Sequence, residues 1–144
     1  MFYGSYNYSL DDKGRLVVPA KLRSDLGSEV VLTKGYDGCL SMYPVGEFEK
    51  MLLSLKSLPF EKSNLRVYTR SIAYEAERLM IDKSGRITIP PEMLKNFNFV
   101  KDVVIAGALD HIEIWAKEIY EEYQKHHENE FETVAEDIPN LYEK

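Results

Sequence analysis

The sequence predicts a mainly β protein with short helices, an α+β fold in which two tandem homologous halves interlock into one closed or nearly closed barrel. Three observations lead there. First, Asp11-Asp12-Lys13-Gly14-Arg15-Leu16-Val17-Val18-Pro19 recurs as Asp82-Lys83-Ser84-Gly85-Arg86-Ile87-Thr88-Ile89-Pro90, an offset of 71. Second, the similarity continues: Val30 to Thr33 match Val103 to Ala106 at an offset of 73, and Leu40, Met42, Tyr43 and Phe48 match Ile112, Ile114, Trp115 and Tyr120 at 72. Third, a half of this size cannot bury a good core alone, whereas two halves that share strands pool their apolar faces and remove sheet edges.

Each half reads as strand, tight turn, strand, short helix, two strands, helix. Residues 2–10 are aromatic-rich and strand-like, 11–14 form a turn, and 15–18 return. Pro19 suits the first turn of a short helix, where its missing N–H is no loss, and Gly27 suits that helix's end. Residues 29–33 and 39–43 read as strands joined through Gly35 and Gly38, and 45–58 have helical spacing at Phe48, Leu52 and Leu55 before Pro59. In the second half the strands are expected at 74–81, 86–89, 102–106 and 111–115, with helices from Pro90 and Lys117. The expected organisation is a first repeat at 1–58, a helical connector at 59–73, a second repeat at 74–127 and an acidic C-terminal tail at 128–144, mobile or late to dock.

The composition belongs to a globular chain: 144 residues, 44% hydrophobic and 29% charged. No apolar run approaches the roughly 20 residues of a bilayer span, and the N-terminal stretch lacks a basic region followed by an apolar one, so neither membrane insertion nor export is expected. A single cysteine, Cys39, rules out an intrachain disulfide and fits a reducing cytoplasm. The net charge of -6 at first argues against a nucleic-acid partner. Its distribution removes the objection: residues 1–115 hold 15 basic and 15 acidic side chains, and residues 116–144 hold 3 and 9. Residues 116–144 carry the whole excess, most of it in the tail, whose acidity suits solubility or repulsion of off-target DNA.

In the repeated Asp-x-x-Gly-Arg turn, the Asp carboxylate can accept local backbone N–H groups and the Gly takes a positive φ. A turn needs no arginine, yet Arg15 and Arg86 both follow, with Lys13 and Lys83 beside them. Two such turns related by a pseudo-two-fold present a pair of Arg forks, suited to phosphate or guanine. Lys13, Arg15, Lys83 and Arg86 are therefore the candidate DNA-binding residues. Asp11, Gly14, Asp82 and Gly85 orient the turns. Lys21 and Arg23, on the helix after Pro19, are candidate phosphate contacts; the second half has Glu92 and Lys95 in that region, which predicts a weaker grip there.

These stretches, together with Lys34-Gly35-Tyr36-Asp37-Gly38-Cys39-Leu40 and Gly107-Ala108-Leu109-Asp110-His111-Ile112-Glu113-Ile114-Trp115, resemble the MraZ family of bacterial regulators encoded at the head of the division and cell-wall gene cluster. The resemblance runs from residue 1 to about residue 125. It implies a double-split β-barrel of the AbrB-like (swapped-hairpin) superfamily, a ring-shaped homo-oligomer, and sequence-specific binding of double-stranded DNA at short direct repeats in the promoter of that cluster. It carries the proposed DNA contact onto Asp11, Arg15, Asp82 and Arg86. Ala108-Leu109 stands where Gln-Phe is usual in the family, a packing difference. The expected protein is a cytoplasmic, nucleoid-associated transcription regulator with no cofactor, no membrane and no small-molecule substrate. The rival is a protein-interaction or antitoxin-like module whose Arg turns bind an acidic protein surface.

Other constellations have plainer readings. His111 sits on a strand while His126 and His127 end a helix, so a shared metal is not expected. Asp11 and Asp12 diverge and do not make a catalytic pair, Cys39 reads as a buried thiol, and no nucleophile elbow or phosphate-binding glycine loop is present, so no enzyme is expected. Phe2, Tyr3, Tyr6 and Tyr8 read as core and interface residues rather than base-stacking platforms. Ile119, Tyr120 and Tyr123 form the apolar stripe of an amphipathic helix, with the sheet of their own half as the simplest partner.

Overall fold

The structure, a computed structural model, describes residues 1–142. The chain forms β1 (Ser5–Ser9), β2 (Arg15–Val17), α1 (Ala20–Leu26), β3 (Glu29–Lys34), β4 (Leu40–Pro44) and α2 (Val45–Lys56), then α3 (Ser63–Ala73). The series repeats as β5 (Glu77–Met80), β6 (Arg86–Thr88), α4 (Pro91–Asn96), β7 (Asp102–Gly107), β8 (Ile112–Ala116) and α5 (Lys117–His126), followed by α6 (Phe131–Asp137) and a 3-10 helix at Ile138–Tyr142. Proline opens three of the helices: Pro19, Pro44 and Pro90 occupy the position just before α1, α2 and α4, where no helical N–H is needed. Gly27 ends α1 at φ 83°, a conformation that costs glycine nothing.

The fold is mixed α+β, mainly sheet with short helices. Six strands form one antiparallel sheet in the order β1-β7-β8-β4-β3-β5, and β2 and β6 pair separately. Strands are exchanged between the halves. β1 pairs with β7 over five residue pairs, and its counterpart β5 pairs with β3 over four. β4 meets β8, and β2 meets β6 with Leu16 opposite Ile87 at the centre. Swapping the halves maps this set of pairings onto itself.

The expected closure is not reached: the sheet ends at β1 on one side and β5 on the other. The reason lies in the repeated turn. Each hairpin closes with one bond past the loop, Asp11 N–H to the Arg15 carbonyl at 3.1 Å and Asp82 N–H to the Arg86 carbonyl at 2.8 Å. β2 and β6 then peel away to pair with each other, and Pro19 and Pro90 follow within two residues of their ends, with no N–H to extend a ladder.

The sheet buries both faces. Leu32, Leu40, Met42, Ile105, Ile112 and Ile114 meet Leu16, Ile87, Leu22 and Met93, so the main core lies between the sheet and the β2–β6 ladder with α1 and α4. On the other face, Val31 packs with Phe48 of α2 and Ile72 of α3, and Val104 packs with Trp115 and Cys39 under Ile119, Tyr120 and Tyr123 of α5. That double burial explains why β3 reads as a continuous apolar run. The one polar side chain in its interior, Thr33, donates its hydroxyl to the Ile72 carbonyl at 2.7 Å.

Two expectations are refined. The opening strand is shorter than 2–10, because Gly4 turns at φ 89° and Phe2 makes a separate bridge to Leu109. Phe2 is buried and Tyr6 and Tyr8 pack on the core, but Tyr3 is exposed. The segment after Glu128 turns at Asn129 and is then helical from Phe131 to Tyr142, with Phe131, Val134, Leu141 and Tyr142 exposed. Its last two residues lie outside the described ones.

Candidate nucleic-acid interface

The two turns are built alike. Asp11 Oδ1 accepts the backbone N–H groups of Lys13 and Arg15, both at 2.9 Å, and Asp11 Oδ2 accepts the Arg15 Nε–H at 2.6 Å. In the second turn Asp82 Oδ1 takes Ser84 and Arg86 N–H at 2.9 Å each, and Oδ2 takes Arg86 Nε–H at 3.0 Å. Gly14 and Gly85 close the loops at φ 74° and 76°. A side chain there would pay about 1–2 kcal/mol for the left-handed backbone alone. Each Asp thus shapes the loop and holds an Arg side chain through Nε, leaving the outer guanidinium nitrogens for another partner.

Hydrogen bonds from the Arg15 backbone N–H hold the Asp11 carboxyl below the ordinary 3.8, with smaller help from the Arg15 side chain and Lys13 N–H, against some desolvation. Asp82 is lowered in the same way, first by the Arg86 backbone N–H. A carboxyl depressed on folding adds stability that is complete above the unfolded value and is lost as pH falls through the lower folded value. The Gly14 and Gly85 amide signals in a proton–nitrogen NMR titration should therefore stay fixed from neutral pH to about 5 and move only below about 3.8. Movement centred near pH 6 would contradict this origin of loop order.

The ladder brings the turns together. Arg15 pairs with Thr88 and Arg86 with Val17, and strand alternation turns these four side chains outward while Leu16 and Ile87 face the core. The two arginines occupy diagonal positions on one small exposed face, about 7–8 Å apart by strand geometry. Bonds from Val18 N–H to the Gly85 carbonyl, 2.8 Å, and Ile89 N–H to the Gly14 carbonyl, 3.0 Å, tie each strand to the other half's turn. Lys13 and Lys83 stand exposed in the loops, though not at equivalent places: Ser84, not Lys83, makes the backbone contact that Lys13 makes.

The helix residues fall differently from expectation. Arg23 of α1 lies over the second turn: its guanidinium fills the space a Cβ on Gly85 would need, with Cζ 2.7 Å from that position. Its counterpart Leu94 of α4 lies over the first turn, Cδ1 3.0 Å from a Cβ on Gly14. Each helix thus serves the turn of the opposite half, which removes the premise for a weaker grip in the second copy. Lys21 is exposed on α1. Val17, Thr88 and Leu94 are the neighbours that sequence reasoning left out. The offset of 71 pairs Arg23 with Leu94, but spacing within one half carries no trace of an exchange between halves.

The remaining candidates stay apart from this face. His111 stacks on Tyr43 with ring centres 4.8 Å apart and hydrogen-bonds Asp110 at 2.7 Å, while His127 bonds Glu130 at 2.7 Å. Among the described residues no three His, Cys, Asp or Glu side chains converge as a metal site would need. Cys39 is fully buried, and burial pushes its thiol pKa far up. No helix among the described residues is long and apolar enough to cross a membrane.

Comparison with known proteins gives a consistent result. The family model described as "MraZ protein, putative antitoxin-like" matches twice, at residues 1–71 and 72–139. The chain is 43% identical over 141 residues to a protein of Lactobacillus delbrueckii subsp. bulgaricus named transcriptional regulator MraZ, covering 98% of this chain and 99% of that one. Proteins of the same name from Caldanaerobacter subterraneus subsp. tengcongensis and Pelotomaculum thermopropionicum are 41% and 42% identical, covering 98% of this chain and 99% and 97% of theirs. With two family matches side by side and relatives aligned almost end to end, this chain belongs to the MraZ family.

Proposed function

We propose that the chain is a sequence-specific DNA-binding regulator of transcription, not an enzyme, which reads double-stranded DNA through its two Asp-x-x-x-Arg turns. The observation that carries this reading is the isolated two-stranded β2–β6 ribbon, with Arg15 and Arg86 diagonal on its outer face and each held by its own Asp. A major groove about 12 Å wide admits a two-stranded ribbon, and Arg forks suit guanine edges or phosphates. Lys13, Lys83, Lys21 and Arg23 flank the ribbon as phosphate contacts that fix register. The relatives' name, transcriptional regulator, agrees with this role.

The finer reading follows the family resemblance: an AbrB-like, swapped-hairpin double-split barrel, with repeats at 1–58 and 74–127, a connector at 59–73 and an acidic tail beyond. The target is the set of short direct repeats in the promoter of the division and cell-wall gene cluster. The chain works in the cytoplasm on the nucleoid, and assembly into a ring multiplies weak single-chain contacts. The words "antitoxin-like" in the family description favour a second reading, in which the Arg turns grip an acidic protein surface.

Arg15→Ala should cost about 1–3 kcal/mol of specific binding, measured by fluorescence anisotropy with a promoter duplex at fixed salt. Affinity for that duplex should also fall steeply from about 50 to 200 mM salt and exceed affinity for a scrambled duplex. Equal affinity of the folded Arg15→Ala variant, or no preference for the repeats, would defeat the DNA reading and leave the protein-surface one.

A further inference from the structure

We propose that the two DNA-reading turns of each chain are unequal, with Arg23 reaching across from the first half to make the second turn a phosphate clamp that the first turn lacks; this rests on the DNA-binding reading above. The exchange of helices between halves is the basis. Arg23 lies on Gly85, next to Arg86, and Leu94 occupies the matching place on Gly14, next to Arg15.

The substitution at that one matched position sets the chemistry. A guanidinium at Gly85 sits beside a loop whose backbone is already fixed by Asp82, so it adds a positive charge at a defined point. Among the described residues Arg23 makes no ion pair, unlike Arg15 and Arg86, so its charge is not committed to a carboxylate. Leu94 offers the first turn an apolar contact only. The loops add to the difference. Asp11 and Asp12 offset Lys13 and Arg15 in the first, whereas the second has one acid, Asp82, against Lys83 and Arg86. On the helices, Lys21 matches Glu92.

The consequence is a division of labour between the turns. Both carry an arginine placed to read bases, Arg15 or Arg86, while the second also grips the backbone. Arg23 acts on phosphate, which any duplex offers alike in either orientation, so it sets affinity and not base identity.

The test is an anisotropy titration of the full-length protein against a labelled promoter duplex and a scrambled duplex, from about 50 to 200 mM salt. Arg23→Ala should reduce the slope of log affinity against log salt by about 1 for each chain engaged, and equally on both duplexes. Arg23→Lys should keep most of the slope, and Leu94→Arg should increase it by about 1. Arg23→Ala should combine less than additively with Arg86→Ala and additively with Arg15→Ala, because only Arg86 shares its turn. An unchanged slope in Arg23→Ala, or coupling to Arg15 instead of Arg86, overturns the proposal while the DNA reading stands if Arg15→Ala and Arg86→Ala still lose the repeats. If neither arginine variant loses them, both readings fall.

Discussion

Leu16→Ala should lower the free energy of unfolding by about 2–5 kcal/mol in a urea titration, and, on the proposed DNA-binding reading, the surviving folded protein should bind the promoter duplex less well than the wild type. Leu16 is 1% exposed and stands opposite Ile87, also 1%, at the middle of a ladder only three residue pairs long. So short a ribbon is marginal on its own and depends on its inward side chains for its place over the sheet. Deleting most of one of them leaves a cavity between the ribbon and Leu32, Leu40, Met42, Ile105, Ile112 and Ile114. It also frees the pair that fixes the spacing of the two turns, so function falls with stability. Val17→Ala, on the outer side of the same strand and 38% exposed, should stay within about 0.5 kcal/mol. A loss below about 1 kcal/mol for Leu16→Ala would mean that the ribbon is held by something other than this core.

That dependence of the site on a cross-half contact marks the boundary of what the sequence discloses. The repeat, the turn and the element order are legible because each is local. An Asp that accepts the loop N–H two residues on, a Gly at a left-handed position and a Pro before a helix are dictated within a few residues. The roles of Asp11, Gly14, Asp82 and Gly85 are of this kind. Strand exchange is not local. Nothing in residues 5–9 states that β1 bonds to β7 and not to β2, and nothing in α1 states that Arg23 rests on Gly85. The barrel closure expected from edge avoidance fails for the same reason, since the hairpin's own strands part after one bond. The tail is the opposite case. Its weak periodicity and acidity conceal a helix at Phe131–Asp137 that has no buried residue, so its pattern never had to satisfy a core.

Phe2→Ala should destabilise the chain by about 3–5 kcal/mol, although Phe2 lies one residue from the N-terminus, where substitutions are ordinarily silent. Phe2 is 3% exposed within the main core, and its backbone exchanges two hydrogen bonds with Leu109, 2.8 and 2.9 Å, while Gly107 N–H reaches the Gly4 carbonyl at 2.8 Å. The segment before β1 is thus pinned against the end of β7 by both side chain and backbone. Gly107 is the reason it can come so close: a Cβ there would fall 2.5 Å from the Phe2 carbonyl carbon and against the Tyr3 nitrogen. Unlike Gly14 and Gly85, Gly107 has no left-handed φ, so the penalty of Gly107→Ala is steric, about 1–3 kcal/mol, and falls on backbone that cannot rotate aside. Because both substitutions act by releasing one segment, their sum should exceed the measured loss in the double variant. Full additivity in urea titrations would show that Gly107 is needed for something besides the docking of Phe2. A Gly107→Ala protein as stable as the wild type would show that the backbone at Phe2 and Tyr3 can shift enough to admit a methyl group while the Phe2 side chain stays docked, and the large effect of Phe2→Ala would then come from that side chain's burial alone.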